Sequence, residues 1–130
     1  MVLLDYKDSR PIYEQVAEKL QELMLLGVLA EDDQMPSVRS LAMELSINPN
    51  TIQRAYGELE REGFIYTVKG RGSFVGSIKK LREARQCQLA DRMTELAQEA
   101  RGLEMSESQF FKMAEESWIS SGREKEETTL

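Results

Sequence analysis

The residues with recognition chemistry to offer fall in three short stretches: Arg39, then Asn50, Thr51, Gln53 and Arg54, then Lys69, Gly70 and Arg71. A guanidinium suits bidentate contact with a guanine edge or a phosphate. Short polar side chains such as Asn50 and Thr51, placed in the first turn of a helix, add to an amino terminus that already attracts phosphate. Gly70 removes a side chain at a point of close approach, and Lys69 and Arg71 bring charge to both sides of it. Bond-making chemistry is poorly served by contrast. The 130 residues contain no histidine, which removes Ser-His and Cys-His pairs, the commonest general base and the usual zinc or non-haem iron ligand sets. No glycine-rich phosphate loop occurs, and no spacing brings two carboxylates together in a dry pocket. No catalytic residue, metal or cofactor is expected. Bland readings stand beside the sharp ones. Arg39 and Arg54 read as solvated helix arginines or partners of nearby glutamates, and Lys69-Gly70-Arg71-Gly72 reads as a plain hairpin turn.

The elements that must position these residues follow from periodicity and punctuation. Ile12, Val16, Leu20, Leu23 and Met24 recur at helical steps between Pro11 and Gly27, with Ser9 as a cap, predicting a helix over 11–26. Pro36 then blocks helix and Ser37 caps a short one whose buried side is Val38, Leu41, Ala42 and Leu45. Asn48 is placed to cap a third helix beginning at Pro49, with Ile52, Ala55, Tyr56 and Leu59 inside and Asn50, Thr51, Gln53, Arg54 and Gly57 on the open side, ending near Gly63. Two short helices so joined make a helix-turn-helix candidate. Residues 64–68 and 73–75 are rich in β-branched and aromatic types around a glycine turn, which predicts a hairpin with a basic tip. The hairpin would be the wing of a winged helix-turn-helix. From Ile78 to Gly102 a long helix is expected, and Ser106 with Gln109 forms a capping box for another that ends before Gly122.

Length and charge set the outer limits. The chain suits one domain with an extension, not two independent cores. Hydrophobic content of 41% and charged content of 31% are ordinary for a globular protein, and no apolar run is long enough to cross a bilayer. The first eight residues lack the pattern of a secretory signal and Cys87 is a single cysteine, so cytoplasm is the expected location. Net charge is −6, which opposes a nucleic-acid partner until its distribution is considered. Residues 1–35 carry three basic side chains against eight acidic ones, whereas residues 66–82 carry five basic and no acidic.

The blocks Met35-Pro36-Ser37-Val38-Arg39-Ser40-Leu41-Ala42, Asn48 to Tyr56, Leu59-Glu60-Arg61-Glu62-Gly63 and Lys69 to Val75, in this order, resemble the DNA-binding domain of the GntR family of bacterial regulators over roughly residues 10–76. The helices that follow resemble the YtrA-type subfamily, in which a short helical extension dimerises the protein. The resemblance implies a mainly α fold with a small β-hairpin: a winged helix-turn-helix domain over 1–77 and a two-helix dimerisation region over 78–120, and the charged stretch 121–130, with little to bury, is expected to be a disordered tail. It implies DNA contacts at Ser37 and Arg39, at Asn48, Pro49, Asn50, Thr51, Gln53 and Arg54, and at the wing tip Lys69, Gly70 and Arg71. Some family members place a basic residue where Pro49 stands, which weakens the expected readout there.

The partners expected are a double-stranded DNA operator and a second copy of the chain, acting together as a homodimeric repressor on a pseudo-palindromic site. Leu81, Leu89, Met93, Leu96, Phe110, Met113 and Trp118 are the expected dimer residues, because two helices behind a complete winged domain need apolar cover. The same stripe leaves open an unidentified small-molecule effector. The acidic balance supports an alternative, a winged-helix module that binds protein without DNA. Cys87 reads as a small apolar filler rather than a redox site.

Overall fold

The structure, a computed structural model, describes residues 4, 5 and 7–128, the last five of these as backbone only. Seven elements follow in order: α1 (Ile12–Leu25), α2 (Val38–Leu45), α3 (Pro49–Arg61), β1 (Ile65–Val68), β2 (Gly72–Val75), α4 (Ile78–Gly102) and α5 (Glu107–Thr128). They form two units that divide between Arg85 and Gln86.

The first unit is built around α3. Its inner side chains Ile52, Ala55, Tyr56 and Leu59 meet Val16, Leu20 and Met24 from α1, Leu41 and Ala42 from α2, and Ile65 and Val75 from the hairpin, all buried in one core. These are the apolar positions that helical and strand periodicity select. Among the described residues the polar exception is Gln15, 3% exposed on the inner face of α1. Its Nε2 donates to the Arg10 carbonyl at 3.1 Å and its Oε1 accepts from the Asp5 amide at 3.2 Å, so a buried amide ties down the segment ahead of the helix. Pro11 occupies the cap position of α1 with no side-chain bond, so Ser9 does not cap it; a proline there has no N–H to satisfy.

Caps fix the helix pair. Ser37 Oγ accepts from the Ser40 amide at 3.0 Å and Asn48 Oδ1 from the Asn50 amide at 2.8 Å, each worth about 1 kcal/mol. Between them Ser46 turns the chain in the left-handed region, φ +54°, and the Ile47 amide returns to the Ala42 carbonyl. The hairpin is antiparallel with Ile65 opposite Val75 and Val68 opposite Gly72. Residues 32–35 lie along the free edge of β2, with the Met35 amide donating to the Ser73 carbonyl at 2.8 Å and the Val75 amide to the Asp33 carbonyl at 2.8 Å.

The winged unit reaches further than residue 77. Glu31 accepts from the Ile78 amide at 3.0 Å, Leu81 is fully buried in the core, and Arg85 donates to Gln21 at 3.1 Å. The first turns of α4 therefore belong to this unit. Leu81, expected at the dimer interface, has no surface left to offer a second copy.

The second unit holds the rest of α4 and α5. Glu104, φ +60°, takes the left-handed position after α4, and the Met105 amide donates to the Ala100 carbonyl at 3.1 Å. The capping box forms as expected: Ser106 Oγ accepts from the Gln109 amide at 3.2 Å and Gln109 Oε1 from the Ser106 amide at 2.8 Å. Helix α5 does not stop before Gly122 but continues to Thr128; Gly122 stays out of the left-handed region, so it ends nothing. Of the tail expected to be disordered, Thr129 and Leu130 lie outside the described residues. The two helices enclose an open apolar groove of about 620 Å³ whose lining includes Met93, Leu96, Phe110, Met113 and Trp118. Leu89 is exposed on α4, as is Cys87. Among the described residues, no helix is long and apolar enough to cross a membrane.

Candidate nucleic-acid interface

Burying Ile52, Ala55, Tyr56 and Leu59 turns the opposite side of α3 outward. Asn50, Gln53, Arg54 and Gly57 are exposed there as periodicity requires, while Thr51 sits at the margin and is half-buried. Asn48 and Pro49, just ahead of them, are exposed too. Because the Asn48 carbonyl oxygen is committed to the cap, the side-chain amide that remains is a donor held in a fixed orientation. Ser37 is held in the same way, its oxygen accepting within the chain and its hydroxyl hydrogen left to donate.

Arg39 is exposed one residue into α2. Met43, one turn on, is 74% exposed and shares a shallow hollow with Ser37, Arg39 and Ser40. Arg54 has a different setting. Its guanidinium carbon stands 3.9 Å above the centre of the Tyr13 ring, and Nη2 donates to the Tyr13 hydroxyl at 3.4 Å.

The ion pairs among the described residues are Arg10 with Asp8 and Glu18, Lys19 with Glu22, and Arg61 with Glu58. The bonds from Asp8 and Glu18 raise the Arg10 pKa above its ordinary value, and Arg10 in turn pulls Asp8 below the usual carboxylate range. Arg39, Arg54, Lys69 and Arg71 join none of these pairs, so the reading of Arg39 and Arg54 as partners of glutamates does not hold.

The wing is stiffened from three sides. The Arg71 amide donates to the Val68 carbonyl at 2.9 Å across a turn in which Gly70 has φ +78°. Gln34 Nε2 donates to the Arg71 carbonyl at 2.8 Å, and a Cβ on Gly72 would come within 3.1 Å of that nitrogen. At the base, Tyr66 stacks on Phe74 with ring centres 5.6 Å apart and donates its hydroxyl to Asp32 at 2.8 Å; that bond pushes the Tyr66 pKa up. Lys69 and Arg71 remain exposed at the tip. Gln34 also links sites, since Ser37 follows it by three residues and the chain spans at most about 3.6 Å per residue. The wing tip and the start of α2 are therefore neighbours, and only residues 46–48 separate α2 from α3.

Tyr13, Gln34 and Met43 were not among the residues singled out from sequence. The first two act across the fold on partners 41 and 37 residues away, which no local spacing encodes. Met43 is an apolar residue on the outer side of an amphipathic helix, a signal that was there to be read.

Two helices joined by a tight turn, with an amino-terminal set of fixed donors, followed by a hairpin with an exposed basic tip, define a winged helix-turn-helix protein. The chain belongs to the family described as bacterial regulatory proteins, gntR family, which matches residues 12–75. It is 46% identical over 80 residues to the HTH-type transcriptional repressor YtrA of Bacillus subtilis (strain 168), covering 62% of each chain. The chain thus spans 62% of that relative's length and a smaller share of several others. Among solved structures it is similar to a GntR family transcriptional regulator from Listeria monocytogenes, with 34% identity, a TM-score of 0.70 and coverage of 87% of this chain and 98% of that one. It is also similar to AraR(DBD), solved in complex with operator ORR3, with 30% identity, a TM-score of 0.51 and coverage of 57% and 89%. The family is one of regulators, not enzymes.

Proposed function

We propose that this chain is a sequence-specific transcription repressor that binds a pseudo-palindromic operator as a homodimer in the cytoplasm. The observation that carries the reading is the grouping of Arg39 and Arg54, exposed on the helix pair, and of Lys69 and Arg71 at the wing tip with the fixed donors at the start of α3, none of these four in an ion pair among the described residues. Basic side chains gathered on one face beside a helix amino terminus suit an anionic partner. Likeness to AraR(DBD), which was solved on an operator, supports DNA as that anion. In this reading α3 enters the major groove with Asn50 and Gln53 forward, Arg54 and Arg39 each reach a base or a phosphate, and Lys69 and Arg71 flank the minor groove with Gly70 closest to it. The second unit joins two copies through Leu89, Met93, Leu96, Phe110, Met113 and Trp118, which presents two recognition helices to successive turns of the duplex.

A gel shift with wild type and Arg39→Ala tests the reading. Wild type should bind its operator with steep salt dependence, and Arg39→Ala should lose about tenfold or more in affinity. Equal, salt-insensitive binding by both would remove Arg39 from the interface. Failure on any duplex at low salt, with recovery of a stoichiometric protein partner, would replace DNA binding with the protein-binding module.

A further inference from the structure

We propose that Tyr13, on α1, is a positioning residue that holds Arg54 in place for a DNA phosphate, a role that rests on the DNA-binding reading. Two arginines share the outer side of α3, and they are treated differently. Glu58 stands four residues after Arg54, the spacing at which a helix pairs opposite charges, yet it bonds Arg61 at 2.5 Å. Arg61 thereby has a carboxylate beside it. Arg54 instead lies on the Tyr13 ring at 3.9 Å, with one N–H on the phenol oxygen at 3.4 Å. An aromatic face orients a guanidinium without cancelling its charge, which a carboxylate does not.

The hydroxyl of Tyr13 is itself directed. It donates to Glu14 at 3.3 Å, which turns an oxygen lone pair toward Arg54. Of the five N–H donors of a guanidinium, one is spent on Tyr13 and the rest of the planar fork stays available. A free arginine on an exposed helix loses rotamer freedom when it meets a phosphate; one already held by a ring loses less. The ring is half-buried on α1, so it is fixed by the core that fixes α1 against α3. The pair thus joins α1 to the outer side of α3, and a guanidinium held at both elements suits a phosphate contact, which sets register rather than reading bases.

The test is a double-mutant cycle in the full chain, on a labelled duplex selected by wild type from a randomised pool. Tyr13→Leu should weaken binding about two- to fivefold and flatten the salt dependence, and it should cost nothing further in an Arg54→Ala background. Tyr13→Phe, which keeps the ring and loses the hydroxyl acceptor, should lose less affinity than Tyr13→Leu. Thermal midpoints separate these effects from misfolding. In wild type the Arg54 side-chain resonances should be displaced by the ring current of Tyr13, a signature that does not depend on any variant folding. Equal losses from Tyr13→Leu in both backgrounds, losses from Tyr13→Phe as large as from Tyr13→Leu, or unshifted Arg54 resonances would each overturn the role. Absence of salt-dependent duplex binding by wild type would overturn the DNA-binding reading itself, a distinct failure.

Discussion

At the scale of single residues, Tyr56 ties core and interface together. Its ring is 4% exposed inside the core, and its hydroxyl donates to the Pro36 carbonyl at 2.6 Å, the residue before Ser37. Burial pushes its pKa up to about 12 from an ordinary 10.0. The folded state thus holds the phenol proton more tightly than the unfolded chain does. Stability should be unaffected below pH 10 and should fall as pH rises from 10 to 12, by about 2 kcal/mol for this group. Denaturation across that window checks it: Tyr56→Phe should lose part of this high-pH decline, and an unchanged decline would assign it to other groups. Among the interface residues, the arginines and the wing cations were legible as types, because charge and glycine in a turn announce themselves. Their settings were not. That Arg54 would rest on Tyr13, and that Gln34 would hold the Arg71 carbonyl, depends on packing between α1 and α3 and between residues 32–35 and β2.

Among the elements, starts were more legible than stops. Ser37, Asn48 and the Ser106-Gln109 box were readable because one side chain satisfies one nearby amide. Stops depend on which residue turns left-handed. Glu104 does so after α4, whereas Gly122 does not, and α5 runs through it. The reach of the winged unit into α4 was hidden as well, since the apolar spacing passes from Leu81 to Leu89 without any mark where core contact ends. Two glycines separate backbone need from its absence. Gly57 lies on the open side of α3, with nothing within 4 Å of where a Cβ would stand, so Gly57→Ala should stabilise the fold by about 0.5–1 kcal/mol. A Cβ on Gly76 would sit 2.6 Å from the Gly63 carbonyl oxygen, so Gly76→Ala should destabilise by about 1–3 kcal/mol. Urea denaturation of both variants decides it; a destabilising Gly57→Ala would mean that α3 is not regular there.

For the whole molecule, the acidic balance and the second unit belong together. A net charge of −6 weakens attraction to arbitrary DNA, and under the proposed function two copies acting at once make up the difference. Trp118 is 82% exposed at the groove between α4 and α5, a costly position for a residue with no partner. Sedimentation at micromolar concentration should show a dimer, and Trp118→Glu should shift it toward monomer and weaken operator binding about a hundredfold. A wild-type monomer, with operator affinity indifferent to Trp118→Glu, would leave the second unit without this role. The most direct measurement is selection of duplexes by the wild-type chain from a randomised pool, followed by titration of the recovered sequence against salt. A pseudo-palindrome bound by two chains, with affinity falling linearly as log salt rises, is the expected result. A pool from which nothing is retained at low salt, or binding indifferent to both sequence and salt, would contradict it.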